Sequence, residues 1–156
     1  ITILCYWGSY INNRKGDAFN LNQKIYKRFY EFKDFQFVVL VTDGQKEIIE
    51  KLKESLSSGA GTDLVKWNFL QGSEDSIKEH FNSLNTTIGL NSKYSTPYVF
   101  IIDRKKNLRG RDDDEDIGYL FGYNAQSVAE INNKMEDDVK VILAEYRLAL
   151  KKYSLR

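Results

Sequence analysis

A three-layer α/β fold, with a mostly parallel central sheet and an antiparallel hairpin at one edge, follows from three features of this 156-residue chain. Short apolar, β-branched runs alternate with segments of helical periodicity, the pattern of parallel strands joined by helical crossovers. The single proline, Pro97, sits directly ahead of the most strand-like run, residues 98–103. Proline cannot donate to a sheet ladder and is accepted at a strand's first residue. The last strand-like runs have no helix between them, which supplies the antiparallel edge.

In chain order, residues 1–7 are continuously apolar and bounded by Gly8-Ser9, as suits a buried strand. Asp17 is placed to cap a helix running to Phe32, with Leu21, Ile25, Phe29 and Phe32 on one face. Residues 35–42 form a second central strand. Thr42 or Asp43 then caps a helix carrying Ile48, Ile49, Leu52 and Leu56, which the breaker cluster Ser57-Ser58-Gly59-Ala60-Gly61 ends. A third strand at 65–70 alternates Val65, Trp67 and Phe69 against Lys66 and Asn68. Gly72-Ser73 leads to a short helix with Ile77, Phe81 and Leu84, and a polar loop delivers the chain to Pro97. Residues 108–111 and 119–123 pair around an acidic tip. Ser127 and Glu130 have capping-box spacing ahead of a long helix with Val128, Ile131, Met135, Val139, Ile142, Leu143, Tyr146, Ala149 and Leu150 on one stripe. Its terminal Lys151, Lys152 and Arg156 suit the helix dipole.

A chain of this length is read as one domain, residues 1–156, able to hold a core without staples. A net charge of +1 argues against nucleic-acid binding, which needs a surplus of cations to release phosphate counterions. One cysteine, Cys5, excludes an internal disulfide, and no apolar run reaches the ~18 residues of a membrane span. The chain begins Ile-Thr-Ile-Leu, already inside a strand-like run. It is therefore read as a processed or excised domain, with any leader or anchor upstream.

Several segments together resemble the Sco/SenC branch of thioredoxin-like proteins, which is related in fold to TlpA and the peroxiredoxins. Trp67-Asn68-Phe69-Leu70-Gln71-Gly72-Ser73 is similar to that family's W-x-F-L-x-G segment. Residues 38–43 (Val-Val-Leu-Val-Thr-Asp) stand where the family has a strand ending in an S-V-D-type turn. Residues 100–110 match the strand, D-x-x-G-type turn and strand that follow. Thr96-Pro97 is closer to the TlpA pattern, and is a place where a cis peptide bond fits, since an X-Pro bond makes cis inexpensive. The resemblance implies a thioredoxin-like frame in which a cis-proline loop faces the first turn across a substrate groove. By the same analogy, the protein is periplasmic or anchored on the outer side of a bacterial inner membrane.

Active members of that family bind copper through two cysteines of a C-x-x-x-C turn and one histidine ahead of the fourth strand; soft thiolates with imidazole suit copper. Here the cysteine positions fall at Asn12 and Gly16, or at Ile11 and Arg14 for a C-x-x-C turn, and the histidine position at Ser95. None of these is a soft ligand, so neither copper nor dithiol chemistry carries over and no cofactor is expected. What remains is a candidate groove of Ser9, Tyr10, Ile11, Asn12, Asn13, Arg14, Ser95, Thr96 and Pro97, able to take a protein or peptide.

Other chemistry-bearing residues have bland explanations. Cys5, in a central strand, is expected to be a buried small hydrophobe. His80 lies on a charged helix without a second histidine or cysteine near it, so it is expected in solvent. Asp112, Asp113, Asp114, Glu115 and Asp116 form either a solvated tip or a weak site for a hard cation, without EF-hand order. The leading expectation is a non-catalytic binding or assembly module. The alternatives are a copper chaperone or redox protein using Cys5, Met135 and His80, and a cation binder at 112–116.

Overall fold

The centre of the sheet is β1 (Thr2–Gly8), whose side chains alternate between two apolar cores. Ile3, Cys5 and Trp7 enter one core, Leu4 and Tyr6 the other, as the two-residue period of a strand demands. This is a computed structural model that describes residues 1–60 and 62–154; Gly61 of the expected breaker cluster and Arg156 of the expected helix end lie outside the described residues. β2 (Gln36–Thr42) and β3 (Trp67–Gly72) follow in parallel register on one side of β1. β4 (Tyr98–Ile102) lies antiparallel on the other side. The sheet runs β3-β2-β1-β4, with its last edge shared by β5 (Leu108–Arg109) and β8 (Tyr123–Asn124).

Three helical segments cover the first face. The first begins as a 3-10 turn (Ile11–Arg14), continues as α1 (Lys15–Leu21) and a π turn (Asn22–Tyr26), and ends as α2 (Lys27–Phe29). Because it starts before Asp17, that residue is not an N-cap but is buried inside α1, paired to Arg14. The second segment is α3 (Lys46–Ala60). Neither Thr42 nor Asp43 caps it; the turn's exposed N–H groups, at Gly44 and Gln45, donate instead to the Gln71 side chain, each at 3.1 Å. The Ser57–Ala60 stretch does not break α3. The Ser57 and Ser58 hydroxyls donate back to the Lys53 and Ser55 carbonyls, and Leu52 and Leu56 hold the helix on the core. The third segment joins α5 (Val128–Glu130), a π turn (Ile131–Met135) and α6 (Glu136–Ser154). Its stripe is buried from Ile131 to Leu143 and then leaves the core, with Leu150 60% exposed. Among the described residues the second face carries one helix, α4 (Glu74–Asn82), capped by Ser73, whose hydroxyl accepts from Ser76 N at 3.1 Å, with Leu84, Ile88, Leu90 and Tyr94 of the following loop packed beside it.

The direction of β4 departs from a simple crossover. After β3 the chain descends along α4, so that His80, Ser83 and Leu84 stand beside Thr2 at the start of β1. The following loop climbs back, and Ser9 N donates to the Lys93 carbonyl at the far end of β1. β4 therefore enters where β1 finishes and must run antiparallel to it.

The expected 108–123 hairpin is also rearranged. β5 pairs with Ile101 and Ile102, and β8 with Tyr98 and Val99, so the two form one edge interrupted at Phe100 by residues 110–122. Within that excursion β6 (Arg111–Asp114) and β7 (Gly118–Leu120) form their own two-stranded sheet. Glycines close both ends. A Cβ on Gly110 would lie 2.2 Å from the Leu120 carbonyl oxygen, and one on Gly122 2.8 Å from Ile88 Cδ1. Ser127 caps its helix by accepting from Glu130 N at 3.1 Å, but the capping box does not close. The Glu130 carboxylate accepts from Asn124 N instead, which ties the helix to β8.

Candidate functional site

β1 ends at Gly8 with φ +52°, and a Cβ there would stand 2.0 Å from the Lys93 carbonyl oxygen. Only glycine permits that approach, which brings the loop before Pro97 against the turn after β1. Backbone hydrogen bonds cross the junction from Ser9 N to Lys93 O and from Thr96 N to Tyr6 O, both at 3.0 Å, and Tyr10 N to Trp7 O at 2.8 Å closes the turn itself.

Arg14 closes the 3-10 turn and folds inward, at 4% exposure. Its Nε donates to Ser95 Oγ at 2.8 Å, one η nitrogen reaches Asp17 Oδ2 at 3.4 Å, and the guanidinium lies 5.1 Å from the centre of the Tyr10 ring. Burial pushes the Asp17 carboxyl above its ordinary range, and the Arg14 charge opposes that rise. The turn after β1 thus carries a buried cation, Arg14, bonded directly to Ser95 of the loop before Pro97. The arrangement supplies no soft ligand and no thiol.

An open recess of about 510 Å³ lies over this lock. Tyr10, Arg14, Ser95 and Pro97 of the expected groove line it, joined by Gly89, Leu90, Asn91 and Gln126. Ile11 and Thr96 are buried, at 1% and 2% exposure, and Ser9, Asn12 and Asn13 are exposed outside the recess lining. Sequence reasoning missed Asp17, Asn91 and Gln126. Only Arg14 and Asp17 carried a signal, their opposite charges three residues apart on a helix.

The proline loop itself is tied down. Asn91 Oδ1 accepts from Lys93 N at 2.8 Å and Ser95 N at 3.1 Å, and the Ser95 and Pro97 carbonyls accept from Asn91 N and Ala125 N. No cis peptide bond occurs among the described residues, so Thr96–Pro97 is trans, against the expectation. Trans is the lower-energy form, and here Thr96 N donates to the Tyr6 carbonyl and the chain bends at Pro97 before β4 begins.

The remaining candidates do not assemble. Cys5 is fully buried in β1, and burial pushes its thiol well above the ordinary range. Met135 shares that core, whereas His80 is exposed on the opposite face, its Nδ1 2.7 Å from the buried Tyr6 hydroxyl. The acidic run is divided rather than gathered. Asp112 and Asp113 are exposed, while Asp114 turns inward to Lys134 Nζ at 2.8 Å and accepts from the backbone of Asp116 and Ile117. Lys134 also holds Asp116, at 2.7 Å, and its hydrogen bond draws the Asp114 carboxyl below its ordinary value. Among the described residues no three His, Cys, Asp or Glu side chains group to hold a metal ion, and no helix is long and apolar enough to cross a membrane.

The chain matches no protein-family model, no curated protein and no solved structure.

Proposed function

We propose that this chain is a non-catalytic binding or assembly module on a thioredoxin-like frame of the Sco/SenC type, without copper or dithiol chemistry. One observation carries the reading: the Arg14–Ser95 hydrogen bond, reinforced by Asp17, fills the space where such a frame would hold a ligand-bearing turn against its proline loop. A cation fixed there repels copper and cannot exchange with a disulfide.

The recess over the lock is the binding surface, and its chemistry differs from that of a working thioredoxin groove. The backbone groups of the proline loop are largely consumed within the protein. A partner segment is therefore read by side chains, with the Tyr10 ring giving contact area and the Gln126 amide hydrogen bonding.

The test is a Cu(I) competition titration of the reduced protein read by native mass spectrometry, run beside a disulfide-reductase assay. Background copper retention and no thiol turnover are expected. One tightly held copper per chain, or turnover lost in Cys5→Ser, would overturn the reading.

A further inference from the structure

β3 is the terminal strand of the sheet, and among the described residues no strand pairs with its outer edge. Its sequence, Trp-Asn-Phe-Leu-Gln-Gly, has no charge and no proline. Each polar side chain on it is turned back onto the protein. Asn68 Nδ2 donates to the Phe37 carbonyl at 3.2 Å, and Gln71 Oε1 accepts from Gly44 and Gln45. Two lysines beside it are also drawn in: Lys66 Nζ donates to the Phe32 carbonyl at 2.7 Å, and Lys53 Nζ lies 5.4 Å from the centre of the Phe69 ring.

The backbone direction follows from the register. Phe37 N donates to the Lys66 carbonyl and Asp43 N to the Gly72 carbonyl, so the even-numbered residues of β3 face β2. Alternation then turns the N–H and C=O groups of Phe69 and Gln71 outward. Leu70 between them is 53% exposed.

We infer that this edge pairs with β3 of a second copy of the chain, antiparallel, with Leu70 on the two-fold axis. In that register Phe69 of each copy exchanges both backbone hydrogen bonds with Gln71 of the other. Leu70 meets Leu70 at a non-hydrogen-bonded position, where Cα atoms approach to about 4.5 Å and side chains touch. The symmetry makes the contact self-complementary and closed. An uncharged strand meeting itself meets no like-charge repulsion, and each exposed leucine is covered by its twin.

The test is sedimentation velocity of the chain across a concentration series, with hydrogen exchange at its low and high ends. A dimer whose population grows with concentration is expected, together with rising protection of the Phe69 and Gln71 amides. Leu70→Lys puts like charges on the axis and should weaken association by about tenfold or more. Leu70→Cys should cross-link two chains under mild diamide oxidation, since about 4.5 Å is within disulfide reach and Cys5 is buried. A monomer throughout the series, or a dimer that leaves those two amides unprotected, would overturn the inference. Both measurements on the unmodified chain stand even if a variant misfolds.

Discussion

Replacing Ser95 by alanine removes the acceptor of Arg14 Nε while leaving the guanidinium buried at 4% exposure. A hydrogen bond to a charged group contributes about 1.5–3 kcal/mol net. For a domain of this size that corresponds to a fall in melting temperature of roughly 3–12 °C. Arg14→Leu should cost more, about 3–5 kcal/mol, because it leaves the buried Asp17 carboxylate without its cation. Arg14→Leu combined with Asp17→Leu should recover much of that loss, so the pair is strongly non-additive. Urea unfolding followed by tryptophan fluorescence reads the parent, these three variants and Asp17→Leu alone, since Trp7 and Trp67 are both buried in the described core. Ser95→Ala melting within a degree of the parent, with the Arg14 and Asp17 costs simply adding, would mean that the guanidinium is solvated and no lock exists.

Three further outcomes follow from the same geometry. Gly8→Ala should cost about 2–5 kcal/mol, combining left-handed strain with a backbone clash, whereas Gly44→Ala, at φ +83° in open space, should cost only about 1–2 kcal/mol. Equal costs in denaturant melts would refute the close approach of β1 to Lys93. The Asp114 carboxyl lies below its ordinary value of 3.8 in the folded protein, so its stabilisation is present above that value and lost as pH falls through the folded one. The melting-temperature gap between parent and Asp114→Asn should accordingly shrink as pH falls from 6 towards 2; a constant gap would show that Lys134 does not hold it. Cys5, fully buried, should resist a thiol reagent in the native protein and react once in guanidinium, and rapid native labelling would contradict its placement in β1.

The strands and helices were legible because their signals are local. The apolar runs at 1–7, 35–42 and 98–103 lie within a residue of β1, β2 and β4, and the stripe from Ile131 to Leu143 is the buried face of the last helical segment. Cys5 as a core residue was readable for the same reason.

Tertiary structure decided whatever depends on where a loop returns. β4 is antiparallel because the loop after α4 climbs back to Ser9, and the acidic run is shared between solvent and Lys134 because residues 110–122 interrupt an edge strand. Arg14, Asp17 and Ser95 meet across 81 positions of chain, a distance at which no periodicity carries information. The proline is trans, in a loop that Thr96 N ties to the Tyr6 carbonyl and the Pro97 carbonyl ties to Ala125 N. Composition and period settle which residues seek the core; only the packed chain settles which polar groups, once buried, find each other.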